Sequence, residues 1–98
     1  MTGKALWVEL HAKPGKEQEV ADFLASALPL AEAEPATIAW FAIKLAEDTF
    51  CIFDAFPDDQ GRQAHLNGPI AAALMASAAD LLATPPEITK INVLAAKR

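Results

Sequence analysis

At 98 residues the chain is sized for a single domain, residues 1–98, and its apolar fraction of 53% is high for that length. Eight Lys and Arg against thirteen Asp and Glu leave a formal charge of -5, which excludes the clustered basic groups that nucleic acid or an anionic membrane surface requires. The one cysteine excludes an internal disulfide framework, and a reducing cytoplasm is the expected compartment.

Residues 4–13 alternate Leu6, Val8 and Leu10 against Trp7, Glu9 and His11, which predicts a strand with one apolar and one mixed face. Pro14 and Gly15 end it, and the charges at Lys4 and Glu9 leave no apolar core of signal-peptide length. Val20, Phe23, Leu24, Ala27 and Leu28 then recur at i, i+3, i+4, i+7 and i+8, the stripe of an amphipathic helix. Pro29 kinks or ends that helix, because it lacks a backbone donor and its ring crowds the preceding turn; a continuation to about Ala33 stays open. After the turn at Pro35, residues 37–45 read as a strand apolar on both faces. The short connection Ala46, Glu47, Asp48 predicts a hairpin with the next strand.

Residues 49–56 are aromatic and β-branched, as a buried strand should be. Alternation places Phe50, Ile52, Asp54 and Phe56 on one side and Cys51, Phe53 and Ala55 on the other, so both faces need a cover. Pro57, Asp58 and Asp59 mark a strand exit and a helix N-cap, and a polar helix over residues 58–66 follows. Gly68 breaks it, and Pro69 suits the first position of a second helix. There Ile70, Leu74, Ala78 and Leu81 form a stripe that Ala71, Met75 and Leu82 widen. The longest apolar run, residues 69–79, falls well short of the roughly 20 that a membrane span needs. Pro85 and Pro86 stop the helix, and residues 88–95 form a last strand before a basic tail, Lys97 and Arg98.

The order β-α-β-β-α-β predicts an α+β, ferredoxin-like fold: a four-stranded antiparallel sheet with the helices on one face. The uncovered face would carry Trp7, Cys51 and Phe53 to solvent, a patch larger than a monomer usually tolerates. A homodimer packed sheet against sheet is therefore expected.

With that element order, the stretches KPGKEQEVADFL, EPAT, FCIFDAFPDDQGRQAHLNGP and PPEITKINVL together resemble the antibiotic biosynthesis monooxygenase family within the dimeric α+β barrel superfamily. The resemblance covers nearly the whole chain. It implies a pocket between sheet and helices, lined in the cofactor-free polyketide oxygenases by an asparagine and a tryptophan on the third strand. The matching positions here are Ile52 and Phe56. Haem-degrading relatives use an asparagine on the first strand and an axial histidine on the last helix, where the counterparts here are Val8 or a neighbour, and Met75.

Read from the residues alone, Asp54 is a lone carboxylate on an apolar face, costly unless paired. Arg62 and His65 are three apart and share one side of the short helix. If that side faces the strand, Asp54 orients the imidazole and Arg62 holds an anionic substrate oxygen. His65 is then a general base, its ordinary pKa of about 6.5 suiting that work. The structural reading of the same residues is Asp54 paired with Arg62 to pin the helix and His65 packed at a helix junction. Phe50, Ile52, Phe56, Val8, Met75 and Trp40 are the candidate lining of a substrate pocket, or else core. The function expected is a cofactor-independent monooxygenase for a small aromatic, polyketide-like or quinol substrate, with no metal and no bound cofactor. The alternative is a non-catalytic ligand-binding or stress-related barrel protein whose pocket is filled by its own side chains.

Overall fold

In the computed structural model, which describes residues 2–97, the chain runs β1 (Lys4–His11), α1 (Glu17–Ser26), α2 (Leu28–Glu32), β2 (Ala39–Ala46), β3 (Thr49–Phe56), α3 (Asp59–Leu66), α4 (Pro69–Leu81) and β4 (Glu87–Asn92). Arg98 of the expected basic tail lies outside the described residues. The strands form one antiparallel sheet in the order β2-β3-β1-β4, the ferredoxin-like α+β arrangement. Each expected helical arm is divided in two. Pro29 stands in the first turn of α2, where its missing N–H costs nothing, and Ala27 both closes α1 and opens α2. Gly68 and Pro69 separate α3 from α4 in the same way. No described helix is long and apolar enough to cross a membrane.

Register decides which residues meet. Leu6 pairs with Asp54, Val8 with Ile52 and Leu10 with Phe50, while Trp40 stands opposite Asp54 from the other side. Directly opposite residues share a face, so these side chains all point to one side of the sheet. There Leu6, Val8, Leu10, Phe50, Ile52 and Phe56 pack against Val20, Leu24, Leu74 and Leu82 from the helices. Burying each large aliphatic side chain is worth about 1.5–3 kcal/mol, so this layer supplies most of the driving force for folding.

The opposite face is open. Phe41 is 56% exposed, and Ile43 with it is exposed to solvent. Cys51 is fully buried even on this face, as a small apolar residue in mid-strand should be, because it sits between Glu9 and Ile43 on the two flanking strands. Burial pushes its thiol up to about 11. The last strand is shorter than expected, ending at Asn92 rather than at residue 95. Its partner β1 begins at Lys4, opposite Asn92, so only the bond from Val93 N–H to the Gly3 carbonyl continues the pairing.

Candidate functional site

Two of the three expected polar residues come together, and a third joins them from an unexpected place. Asp58 caps α3 by accepting a hydrogen bond from the Gly61 N–H at 2.9 Å, which fixes the helix start after Pro57. Gly61 and His65, four apart, form the buried side of α3. A Cβ at position 61 would stand 3.2 Å from the Ala36 Cβ. The glycine thus lets α3 press onto the turn between α2 and β2, and that approach brings His65 to Glu34 of the same turn.

His65 is held between two carboxylates. Its Nε2 lies 2.8 Å from Asp54 Oδ2 and its Nδ1 2.6 Å from Glu34 Oε1. The same Glu34 oxygen accepts a hydrogen bond from the Thr37 hydroxyl at 2.7 Å. Phe56 packs on the imidazole, the ring centroids 5.3 Å apart. Asp54 is fully buried and His65 only 7% exposed. Glu34 Oε2, Asp54 Oδ1 and Trp40 Nε1 are buried with no partner, and Asp54 Oδ2 has only its ion-pair contact with His65. Buried unpartnered groups of this kind cost stability, so the arrangement is not explained by folding alone.

The ionisation of the cluster follows from its geometry. Burial by itself would lower the imidazole pKa, but hydrogen bonds to Asp54 and Glu34, together with their charges, outweigh it and raise His65 above 6.5. Burial raises Asp54 above 3.8, partly offset by His65. An imidazolium donating from both nitrogens satisfies one oxygen of each carboxylate, which a neutral ring with a single N–H does not. Each ring nitrogen of His65 thus faces a carboxylate oxygen.

Arg62 does not join the cluster. Its Nη1 donates to the carbonyls of Ala5 (3.3 Å) and Ile91 (3.1 Å), and its Nη2 pairs with Asp59 at 2.8 Å. The three-residue spacing was sound, but the long side chain reaches away from Asp54 to the β1–β4 pair. Met75 also departs from expectation, since it is 58% exposed on the outer side of α4. Val8, Phe50 and Ile52 lie in the packed core. The space between sheet and helices beside Leu10, Val20, Leu74 and Leu82 is only about 10 Å³. Phe56 and Trp40 border the cluster instead, Phe56 through His65 and Trp40 through its register with Asp54.

A cavity of about 260 Å³ opens beside the cluster, between the turn at residues 33–37 and the junction of α3 with α4. Glu34, Thr37 and His65 are its polar wall, and Ala36, Ala64 and Pro69 contribute to the apolar one. Glu34 is the member that sequence reasoning missed. It lies in an irregular turn, and its one local signal was the Glu-Pro-Ala-Thr spacing that places Thr37 three residues on. Elsewhere, Glu9, His11 and Glu87 bring ligand-type atoms within 4.8 Å of one another, the one such trio among the described residues. There His11 Nε2 stands 3.0 Å from Glu9 and 3.2 Å from Glu87, on the open face of the sheet.

Comparison with known proteins places this architecture. NE2512 of Nitrosomonas europaea, a protein of unknown function, is 65% identical over all of this chain and 95% of its own, with a TM-score of 0.98. The chain belongs to the family of NE2512. The fold is also that of more distant structures named as candidate antibiotic biosynthesis monooxygenases. One, from Nitrosomonas europaea, has a TM-score of 0.84 at 15% identity over 94% of this chain and 99% of its own. Another, from Chloroflexus aurantiacus, has a TM-score of 0.75 at 16% identity over 98% of this chain and 97% of its own. No family model matches the chain, and no curated protein does.

Proposed function

We propose that the protein is a cofactor-independent oxygenase of a small aromatic, polyketide-like or quinol substrate, working at the cavity beside Asp54, His65 and Glu34. The observation that carries this reading is the buried carboxylate–imidazole–carboxylate cluster on the wall of an otherwise apolar cavity. Perturbed, mutually paired titratable groups in a cleft are what proton-transfer chemistry requires. The substrate loses its hydroxyl proton to the cluster, and the resulting anion passes electrons to dioxygen. One oxygen atom ends in the product as a carbonyl and the other leaves as water. The substrate supplies all four electrons. The likeness to structures named as candidate monooxygenases supports the same class of reaction.

The second reading is a non-catalytic ligand-binding barrel, favoured by the small space of about 10 Å³ left among Leu10, Val20, Leu74 and Leu82. Dioxygen consumption by metal-stripped protein over a panel of quinols and polycyclic phenols separates the two. The oxygenase reading expects uptake above autoxidation that falls at least about tenfold, about 1.4 kcal/mol of transition-state stabilisation, in His65→Gln and in Asp54→Asn. Uptake by no compound moves the weight to ligand binding. Equal uptake in all three proteins means that the chemistry occurs elsewhere. We also propose that two copies pack through the open sheet face bearing Phe41, Ile43 and Phe53. A molar mass of about one chain at micromolar concentration by light scattering would rule that dimer out.

A further inference from the structure

The cavity beside Glu34 has a charge and a size that together select a ligand. It measures about 260 Å³. A dry cavity of about 150 Å³ holds a benzene ring, so one or two fused rings suit the larger space. No Lys or Arg lines it, and its nearest ionised groups include the carboxylates of Glu34 and, behind His65, Asp54. Two carboxyl groups flank its one imidazole and no other basic side chain lines the wall, so nothing in the cavity draws in an anionic ligand. The expectation that a substrate oxyanion meets Arg62 has no counterpart here.

Glu34 supplies the missing polar contact. Its Oε1 is committed to His65 and to Thr37, whereas Oε2 has no partner. Oε2 lies next to Gly68, since a Cβ at that position would be 3.2 Å from it. Gly68 is itself on the cavity wall. We propose that this cavity is a binding site for a neutral hydroxylated aromatic of one or two rings, held by a hydrogen bond from its hydroxyl to Glu34 Oε2. In this structure the oxygen is shielded from solvent beside Gly68, and the proposal places the hydroxyl at that point of the wall. In turnover the ligand O–H bond breaks and the proton goes to Oε2, leaving the ring oxygen with the electron pair. His65 and Asp54 are positioning residues, which fix Oε1 and thereby aim Oε2. This inference rests on the reading that the cluster is the functional site, and it adds which residue meets the ligand and which ligands are refused.

Equilibrium binding without turnover tests it. Calorimetric titrations at pH 7 would compare 2-naphthol, its methyl ether and 2-naphthoate on the full chain, as wild type and as Glu34→Gln. Wild type should bind the naphthol about tenfold tighter than the ether, the worth of one hydrogen bond to a carboxylate, and the naphthoate most weakly. Glu34→Gln should bind the ether as wild type does while its preference for the naphthol shrinks by about threefold or more. A purely structural Glu34 would weaken all three ligands together and lower the melting temperature, which overturns the assignment. Equal affinity for naphthol and ether in wild type overturns it as well. Tighter binding of naphthoate overturns the ligand class, and binding of none of the three overturns the site. Oxygen uptake is read separately: a Glu34-dependent preference without uptake removes the oxygenase but keeps the site, and uptake without the preference does the reverse.

Discussion

The layer between sheet and helices has two halves that solve burial differently. Near α1 and α4, Leu10, Val20, Leu74 and Leu82 close around a space of about 10 Å³ with no polar group among them. Near α3 and the 33–37 turn, buried Asp54 and His65 meet the partly exposed Glu34, polar atoms lack partners, and about 260 Å³ stays open beside them. The closed half is what any sheet covered by helices needs in order to fold. The other half spends stability on charge and unpaired atoms, and such departures from consistent design mark the places where chemistry should be sought.

The comparison breaks most sharply at His65. Replacing it by Ala leaves two carboxylates facing each other without their shared cation. It should lower unfolding free energy near neutral pH by about 3–5 kcal/mol in denaturant melts. In the closed half, Leu74→Ala should cost about 2–5 kcal/mol through lost burial and the cavity left behind. The two losses differ in their pH dependence. The folded-state pKa of His65 is raised, so its contribution is complete below the ordinary value of 6.5 and is lost as pH climbs through the raised value. Asp54 is raised as well, so its protonated carboxyl favours the folded state below 3.8, and that advantage disappears as pH climbs through its own raised value. Asp54 is present in both proteins, so the narrowing comes from His65: its share of the gap between wild type and His65→Ala should shrink as pH rises above 6.5, while the Leu74→Ala gap stays flat. Parallel pH profiles for the two variants would erase the distinction drawn between the halves.

Smaller effects sharpen it. Arg62→Ala removes hydrogen bonds to the Ala5 and Ile91 carbonyls and should cost about 1–3 kcal/mol, while leaving the His65 titration where it was. A shift of that titration would put Arg62 back beside the cluster. Met75→Ala, on an exposed side of α4, should change stability by no more than about 0.5 kcal/mol and leave ligand binding unaltered. A loss of binding there would mean that the cavity extends over α4.

How far these features were legible depended on whether they are local. The run from Thr49 to Phe56 forms β3 with those same bounds, because β-branched and aromatic residues are closed off by Pro57. Asp58 caps the next helix as its position suggested, and strand parity put Asp54 on the helix-facing side. Met75 could not be placed because α4 is apolar almost all round, and alanines blur the direction of its stripe. The orientation of Arg62 is set by two carbonyls more than 25 residues away in sequence, which spacing within α3 does not reveal. Glu34 was hidden for a related reason. Its role arises from the contact of Gly61 with Ala36, a meeting of two segments whose periodicity says nothing about each other.

The protonation state of His65 decides whether the cluster shares an imidazolium, and nitrogen NMR of the imidazole ring across pH 5 to 9 reads it. The account predicts both ring nitrogens protonated at pH 6.5, with a titration midpoint above that value that falls in Asp54→Asn and in Glu34→Gln. A neutral ring at pH 6.5, or a midpoint indifferent to both substitutions, would contradict the shared imidazolium on which the proposed site is built.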